Sequence, residues 1–463
     1  MFDKEVYTKR REILQNAMSG GIVLFLGNEE VSMNYADNTY RFRQDSSFLY
    51  YFGLDAPGLA AVIDVDENRH IIFGNDVDME DVIWMGPQQA LQDRAKEVGV
   101  EETLASDKLT DYLRQAIEQK RTIHFLPPYR NEHRFRLSKL MGITDPFLTA
   151  HVSEELIRNV VAQRSVKDNH EIEEIEKAHA VTAHMHMQAM VRARPGMKEQ
   201  ILAGLIEGIA LAGGASVSFP VILSTRGEIL HNHSHGNIMQ EGDMVVNDSG
   251  AESDMHYAAD ITRTFPVSGK FSDRQKDVYR IVLQSQLEAI DALKPGVPYK
   301  DIHLLAARII TQGLKDLGLM QGEVEAAVQE GAHALFFPHG LGHMMGLDVH
   351  DMENLGEDYV GYDETVQRSD QFGLAYLRLA RELQAGFVLT VEPGIYFIPA
   401  LIEQWKKDRK HKDFINYKKV EKYLDFGGIR IEDDVLITEE GHRVLGKPIP
   451  KEITEVEELC SKG

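Results

Sequence analysis

The chain has 463 residues, 43% hydrophobic and 27% charged, the composition of an ordinary globular protein, for which about 150 residues per domain predicts two or three domains. Fifty Lys and Arg against 73 Asp and Glu leave a formal net charge of −23, which disfavours nonspecific attraction to nucleic-acid phosphates or anionic lipid. Cys460 is the single cysteine, so an intrachain disulfide and a multi-thiolate metal cluster are both excluded.

The start, Met1-Phe2-Asp3-Lys4-Glu5, is charged and leads into no apolar stretch, and no run of about 18 apolar residues follows. We therefore expect a cytoplasmic protein with no nucleic-acid and no membrane partner. The run Ile22-Val23-Leu24-Phe25-Leu26, bounded by Gly20-Gly21 and Gly27-Asn28, reads as a strand. Ala60 to Val65 and Ile71-Ile72-Phe73 follow as further strands of the same sheet. Pro87 to Glu97 and Thr110 to Gln119 have the periodicity of surface helices, and Leu126-Pro127-Pro128 marks a loop.

A polar segment, Arg164 to Glu171, leads into a helix expected to run to about Arg194, before Pro195-Gly196. We place a domain boundary near residue 160, giving domains 1–160 and 161–463. Beyond it, helices over Asp273 to Leu293 and Asp301 to Leu317 separate strands at Met244-Val245-Val246, Phe387 to Val391 and Ile429 to Glu432. The basic stretch from Lys406 to Lys422 also holds Trp405, Phe414, Ile415 and Tyr417. It reads as a solvated insert with one packed face more simply than as a polyanion site.

Asp248 ends one strand and Asp260 stands 12 positions later, so a hairpin would bring the two together. Two carboxylates at one place repel unless a cation or a shared proton lies between them. In Pro338-His339-Gly340-Leu341-Gly342-His343-Met344-Met345-Gly346-Leu347-Asp348-Val349-His350 the glycines argue against a regular helix and permit close backbone approach. Three imidazoles on one such loop suggest a site, a better reading than histidines scattered in a turn because the glycines have no obvious packing purpose. Glu392 closes a strand and is followed by Pro393-Gly394, which a structural turn explains equally well. In Gly428-Ile429-Arg430-Ile431-Glu432, alternation places Arg430 and Glu432 on one face. Taken locally, that pattern favours a half-exposed strand carrying a solvent-facing ion pair. Together, Asp248, Asp260, His343, Glu392 and Glu432 make an oxygen-rich set suited to Mn²⁺, Co²⁺, Fe²⁺ or Zn²⁺, and two such ions can share a hydroxide and polarise a carbonyl.

At these residues the sequence resembles the pita-bread metallopeptidases, specifically the Xaa-Pro aminopeptidases and Xaa-Pro dipeptidases (prolidases). Asp248, then Asp260-Ile261-Thr262-Arg263-Thr264-Phe265-Pro266, His339 to His343, Val391-Glu392-Pro393-Gly394-Ile395-Tyr396 and Gly428 to Glu432 are similar to that family's five metal-ligand motifs, in its order. Phe42 to Gly53 resembles its accessory domain. The resemblance implies an α/β (α+β) chain: an N-terminal mixed-sheet domain like that of creatinase and aminopeptidase P, then a pita-bread catalytic domain. It further implies two divalent ions, Mn²⁺ by preference. Asp248 would chelate one ion, Asp260 and Glu432 would bridge both, and His343 with Glu392 would complete the second. Glu392 would also shuttle a proton for the attacking hydroxide, His231, His339 and His350 would contact substrate or the tetrahedral intermediate, and Arg430 would brace the site. A homodimer acting on proline-containing peptides is implied as well.

Only His231 of His231-Asn232-His233-Ser234-His235 matches the family motif, so His233 and His235 read as solvated loop residues. The separation of 12 between the aspartates exceeds the family's usual spacing of about 11, which puts the register near Ser253-Asp254 in question. Two features lean toward the dipeptidase branch by resemblance: the long segment from Pro393 to Gly427, and Arg378, matching an arginine thought to hold a dipeptide's free carboxylate. A surface arginine on a helix is the alternative. Phe219 is expected to form part of an apolar wall for substrate, or else to pack in the core. The competing classes are an aminopeptidase for longer peptides, a non-catalytic peptide-binding module, and a metal-free relative resembling creatinase.

Overall fold

A computed structural model describes residues 1–462, which form two compact units, one of Met1–Arg164 with Asn354–Tyr359 and one of Ser165–Glu353 with the chain from Val360 onward. In the first unit, Ile22–Leu26 forms β1, Ala60–Asp64 β2, Arg69–Phe73 β3, Glu102–Leu104 β4 and Ile123–Phe125 β5. Their order in one mixed sheet is β4-β3-β2-β1-β5. β1 runs antiparallel to β2, with Ile22 opposite Asp64, and parallel to β5. All five residues of β1 are buried because both faces of the sheet are covered. Ile22, Leu24 and Leu26 pack with Leu109, Leu113 and Ala116 of the helix Lys108–Glu118. On the opposite face, Phe25 meets the rings of Tyr51 and Phe52. An uninterrupted apolar run is what a strand covered on both sides requires.

The helix expected from Pro87 begins at Leu91 and ends at Glu97. Its start is fixed where the Leu91 amide donates to the Asp76 carboxylate, 2.6 Å away, and Pro87 lies in the preceding coil. The second expected helix spans Lys108–Glu118.

In the second unit, the helix Asn169–Arg192 opens with a reciprocal cap, Asp168 accepting from the Glu171 amide while Glu171 accepts from the Asp168 amide. The helices Glu199–Gly213, Asp273–Asp291 and Tyr299–Asp316 follow. The last two pack so closely that a Cβ added at Gly313 would stand 2.6 Å from Ile281. Between the helices lie three small sheets. Ile222–Ser224 (β6), Met244–Ser249 (β7) and Ile261–Pro266 (β8) form the first. Val388–Val391 (β9) joins β12 (Asp433–Ile437) and β13 (His442–Val444) in the second, and Gly394–Tyr396 (β10) pairs with Gly428–Arg430 (β11) in the third.

The expected strand at 429–432 is divided between two of these sheets: β11 ends at Arg430, β12 begins at Asp433, and Ile431 and Glu432 make the crossing. Nor is its polar face exposed, since Arg430 is 3% and Glu432 2% accessible. The reason is that β8 lies alongside, the Thr264 hydroxyl accepting from the Arg430 amide at 3.1 Å and Thr262 O from the Glu432 amide at 3.1 Å. The β7–β8 hairpin keeps one register from Met244 opposite Pro266 through Glu252 opposite Ala258. The 12-residue spacing is therefore absorbed at the tip, 253–257, where His256 takes a left-handed φ of 66°. In the basic segment, Trp405 and Ile415 are buried, while Lys406, Lys407, Lys410 and Lys412 are exposed.

Candidate active site

The strand ends of the second unit converge on one cavity of about 570 Å³, and Asp248, Asp260, His343, Glu392 and Glu432 all line it. β7 carries Asp248 near its end, Asp260 immediately precedes β8, Glu392 immediately follows β9, and Glu432 sits in the crossing from β11 to β12. His343 comes from the glycine loop, whose irregular course is held by backbone bonds to β9: Thr390 N–H to His343 O at 3.0 Å and Glu392 N–H to Leu341 O at 2.8 Å. The glycines are there because nothing larger fits. A Cβ at Gly342 would lie 2.0 Å from Thr390 O, one at Gly340 2.8 Å from Leu377 Cα, and one at Gly346 2.6 Å from the Asp351 carboxylate.

Ligand atoms of Asp260, His343 and Glu432 lie within 4.8 Å of one another. His343 Nε2 stands 3.5 Å from Asp260 Oδ2 and 3.7 Å from Glu392 Oε1. Its Nδ1 is 3.0 Å from Met344 O. A carbonyl only accepts, so Nδ1 carries the proton and Nε2 presents its lone pair to the carboxylates, the tautomer a metal ligand needs. Burial, aided by nearby His350, holds His343 far below the usual imidazole range.

The carboxylates themselves are a strained electrostatic group. Burial, then Glu432, Asp248, Asp434 and Glu392, hold Asp260 far above the usual carboxylate range. Burial, then Glu392 and Asp248, do the same for Glu432, and burial pushes Glu392 up to about 7 against the pull of Arg430. Asp248 Oδ1 and Asp260 Oδ1 are buried without a hydrogen-bond partner among the described residues, although buried polar atoms are nearly always paired. Unpaired oxygens, clustered acids and one imidazole with its lone pair turned inward together make a donor set that fits divalent cations.

A surrounding layer fixes these groups. The Arg430 guanidinium donates to Asp248 Oδ2 at 2.6 Å, to the Thr262 hydroxyl at 3.1 Å and to the Tyr396 hydroxyl at 2.9 Å. The Thr262 hydroxyl donates to Glu432 Oε2 at 2.6 Å. Asp434 Oδ2 accepts from the Asp260 amide at 2.9 Å and faces His179 Nε2 at 2.9 Å.

His231, His339, His350, Arg378 and Phe219 line the same cavity, so all the residues singled out from the sequence come together in one place. His339 is more constrained than expected: Nδ1 is 2.8 Å from Gly340 O and Nε2 is 2.9 Å from the Tyr396 hydroxyl. Both ring nitrogens are thus engaged within the protein, and burial pushes the ring down to about 3. His231 is exposed, yet burial of its ring, then Arg430, holds it below the usual imidazole range. His233 is exposed and also lines the cavity. His235 departs from the solvated reading, being half-buried with Nδ1 3.0 Å from Leu223 O. No strand runs through 231–235.

Sequence reasoning missed Thr262, Tyr396, Asp434 and His179 as contributors. The first two stand inside motifs already singled out, and Asp434 follows Glu432 by two positions. His179 carries no local signal, since it lies mid-helix far from the other residues in sequence.

The sequence profile of metallopeptidase family M24 matches residues 173–439, and that of the aminopeptidase P N-terminal domain matches 7–124. A Xaa-Pro dipeptidase of Homo sapiens is 34% identical over 454 residues, covering 96% of this chain and 89% of its own. A probable Xaa-Pro aminopeptidase of Verticillium alfalfae is 32% identical over 450 residues, with 96% and 93% covered. Among solved structures, aminopeptidase PepP of Pseudomonas aeruginosa superposes with a TM-score of 0.81 at 27% identity, over 99% of this chain and 98% of that one. A variant of Escherichia coli aminopeptidase P in complex with substrate gives 0.80 at 29% identity, with the same coverage. The chain belongs to metallopeptidase family M24, its catalytic domain preceded by an aminopeptidase P N-terminal domain.

Proposed function

We propose that this chain is a Xaa-Pro dipeptidase (prolidase), which hydrolyses the bond before a C-terminal proline with two Mn²⁺ ions held by Asp248, Asp260, His343, Glu392 and Glu432. The bond before proline is a tertiary amide with no N–H, and the ring restricts the residue before it, so general peptidases fit it poorly. When bound, two such ions supply Lewis-acid polarisation of the scissile carbonyl and lower the pKa of water. The protein residues do the rest. Glu392, with 18% of its side chain exposed against 12% for Asp248 and 8% for Asp260, is the carboxylate with room to take a proton from attacking water and pass it to the departing proline nitrogen. His231 and His350, on the cavity wall, are assigned hydrogen bonds to substrate and to the developing oxyanion. Arg430 keeps Asp248 oriented, and through Tyr396 it also steadies His339.

The observation that carries the dipeptidase reading is Arg378, which lines the same cavity as the five ligands. A guanidinium on the wall of that cavity can grip the free carboxylate of a substrate that ends at proline. Phe219, also on the wall, supplies an apolar surface. The alternative, a Xaa-Pro aminopeptidase for longer peptides, is favoured by the overlap with aminopeptidase P structures over 99% of the chain. Hydrolysis of a Xaa-Pro dipeptide and a Xaa-Pro-Xaa tripeptide by the Mn²⁺-loaded protein, with a chelated control, separates the two. Dipeptide preference that Arg378→Ala abolishes supports the clamp, and tripeptide preference makes the chain an aminopeptidase. Absence of chelator-sensitive hydrolysis of either leaves a peptide-binding module. A homodimer and a cytoplasmic setting complete the proposal, tested by sedimentation and by fractionation.

A further inference from the structure

Resting on the dipeptidase reading, the geometry points to Glu353 as a positioning residue that couples the carboxylate-gripping Arg378 to His350 and so sets the preference for dipeptides. Glu353 is not on the cavity wall, yet its two oxygens each hold a residue that is. Oε2 is hydrogen-bonded to His350 Nδ1, and Oε1 accepts from Arg378 Nε at 3.2 Å. The two held groups come from separate parts of the chain: His350 ends the glycine loop and Arg378 follows the short turn Leu374–Tyr376. A planar carboxylate with one oxygen on each fixes the separation of ring and guanidinium together.

The chemistry of the contact is specific to a carboxylate. Both partners donate, His350 through Nδ1–H and Arg378 through Nε–H, so the residue between them must accept on both sides. An amide in the same place accepts on one side only and turns an N–H against the other donor. The contact also settles which His350 nitrogen bears the proton toward Glu353, and it braces the ring against His343, whose centroid is 4.1 Å away. Glu353 follows His350 by three positions, so one turn of chain brings acid and imidazole together.

The test is a comparison of kcat and KM for a Xaa-Pro dipeptide and a Xaa-Pro-Xaa tripeptide in the Mn²⁺-loaded wild type, Glu353→Gln, Glu353→Asp, Arg378→Ala and the double variant Glu353→Gln/Arg378→Ala. Unfolding midpoints are measured alongside. In Glu353→Gln we expect kcat to fall severalfold on both substrates through His350, and KM to rise about tenfold on the dipeptide alone, the loss of one hydrogen bond to a charged group. Glu353→Asp should recover part of both effects, and in the Arg378→Ala background Glu353→Gln should add nothing to the dipeptide KM. Equal losses on both peptides with a lowered unfolding midpoint, an additive double variant, or wild-type kinetics would overturn the inference while leaving a dipeptide-preferring wild type, and hence the dipeptidase reading, intact. If the wild type instead prefers the tripeptide, that reading fails by itself. The Glu353–Arg378 coupling is then judged on the tripeptide KM, where more than threefold non-additivity upholds it and additivity overturns it.

Discussion

Replacing Gly342 with alanine adds a single carbon at the most crowded point of the active-site loop. That carbon would stand 2.0 Å from Thr390 O and 2.6 Å from the Tyr299 hydroxyl, short of van der Waals contact with the carbonyl by roughly 1 Å or more. Neither neighbour can retreat. Thr390 O belongs to β9 and accepts from Tyr299 at 2.6 Å, and the loop is tied to this strand and the residue after it by four hydrogen bonds, His343 N–H to the Thr390 hydroxyl at 3.1 Å, Met345 N–H to Val388 O at 3.0 Å and the two backbone bonds at Thr390 and Glu392. Relief means prising the loop off the strand and weakening two or three of those bonds at about 1 kcal/mol each, a destabilisation of about 2–4 kcal/mol once the steric term is included. The same shift moves His343 Nε2 from its place 3.5 Å from Asp260, and a misplacement of about 1 Å can cost on the order of 100-fold in rate. Urea unfolding of chelated protein reads the first quantity, and kcat/KM of metal-loaded protein reads the second. Gly208→Ala is the control: it lies in the helix Glu199–Gly213 with open space around its added Cβ and should stabilise by up to about 1 kcal/mol. A Gly342→Ala protein within about 0.5 kcal/mol of wild type, with unchanged kcat/KM, would refute the close-approach argument.

Three further outcomes follow from the same geometry. Arg430→Lys leaves one ammonium where a fork served Asp248, Thr262 and Tyr396, and we expect a loss of about 3 kcal/mol in urea unfolding of chelated protein, where no metal contributes. Adding Mn²⁺ to chelated wild type should raise the unfolding free energy by about 2.7 kcal/mol at 100 times the dissociation constant. Asp260→Asn should abolish that gain in a calorimetric scan while leaving the chelated protein at least as stable, because it removes one of several mutually repelling acids. The fully buried His186 has Nε2 3.0 Å from Ser249 O and Nδ1 3.1 Å from Asn247 side-chain Nδ2, and burial pushes it down from 6.5 to about 3. Its folded value lies below its unfolded one, so the unfolded chain takes up the proton first. Its stabilising contribution is complete above pH 6.5 and drains away as pH falls toward about 3, at about 1.4 kcal/mol per pH unit. Urea midpoints measured from pH 7 to 4 should therefore fall less steeply in His186→Gln than in wild type.

What could be read from the sequence and what could not divide along physical lines. Runs buried on both faces, such as Ile22–Leu26, announce themselves by composition alone. The ligand candidates were legible because five separated motifs around Asp248, Asp260, His343, Glu392 and Glu432 resemble those of one family in its order, whereas each taken alone reads as well as a turn, a hairpin or an exposed strand. Arg430 and Glu432 misled a local reading, since alternation reports which residues share a face but not that β8 covers it. The glycines of the His339–His343 loop had no visible packing purpose until Thr390 and Leu377 were placed against them. Glu353, His179 and Asp434 act through hydrogen bonds that only the assembled fold creates.

The most direct test of the central claim is proline release from a Xaa-Pro dipeptide as Mn²⁺ is titrated into chelator-stripped protein. The account predicts no turnover in the stripped protein and activity rising to a plateau at about two ions per chain, with Asp260→Asn and Glu432→Gln silent throughout. Full hydrolysis by the stripped protein, or by either variant, would contradict it.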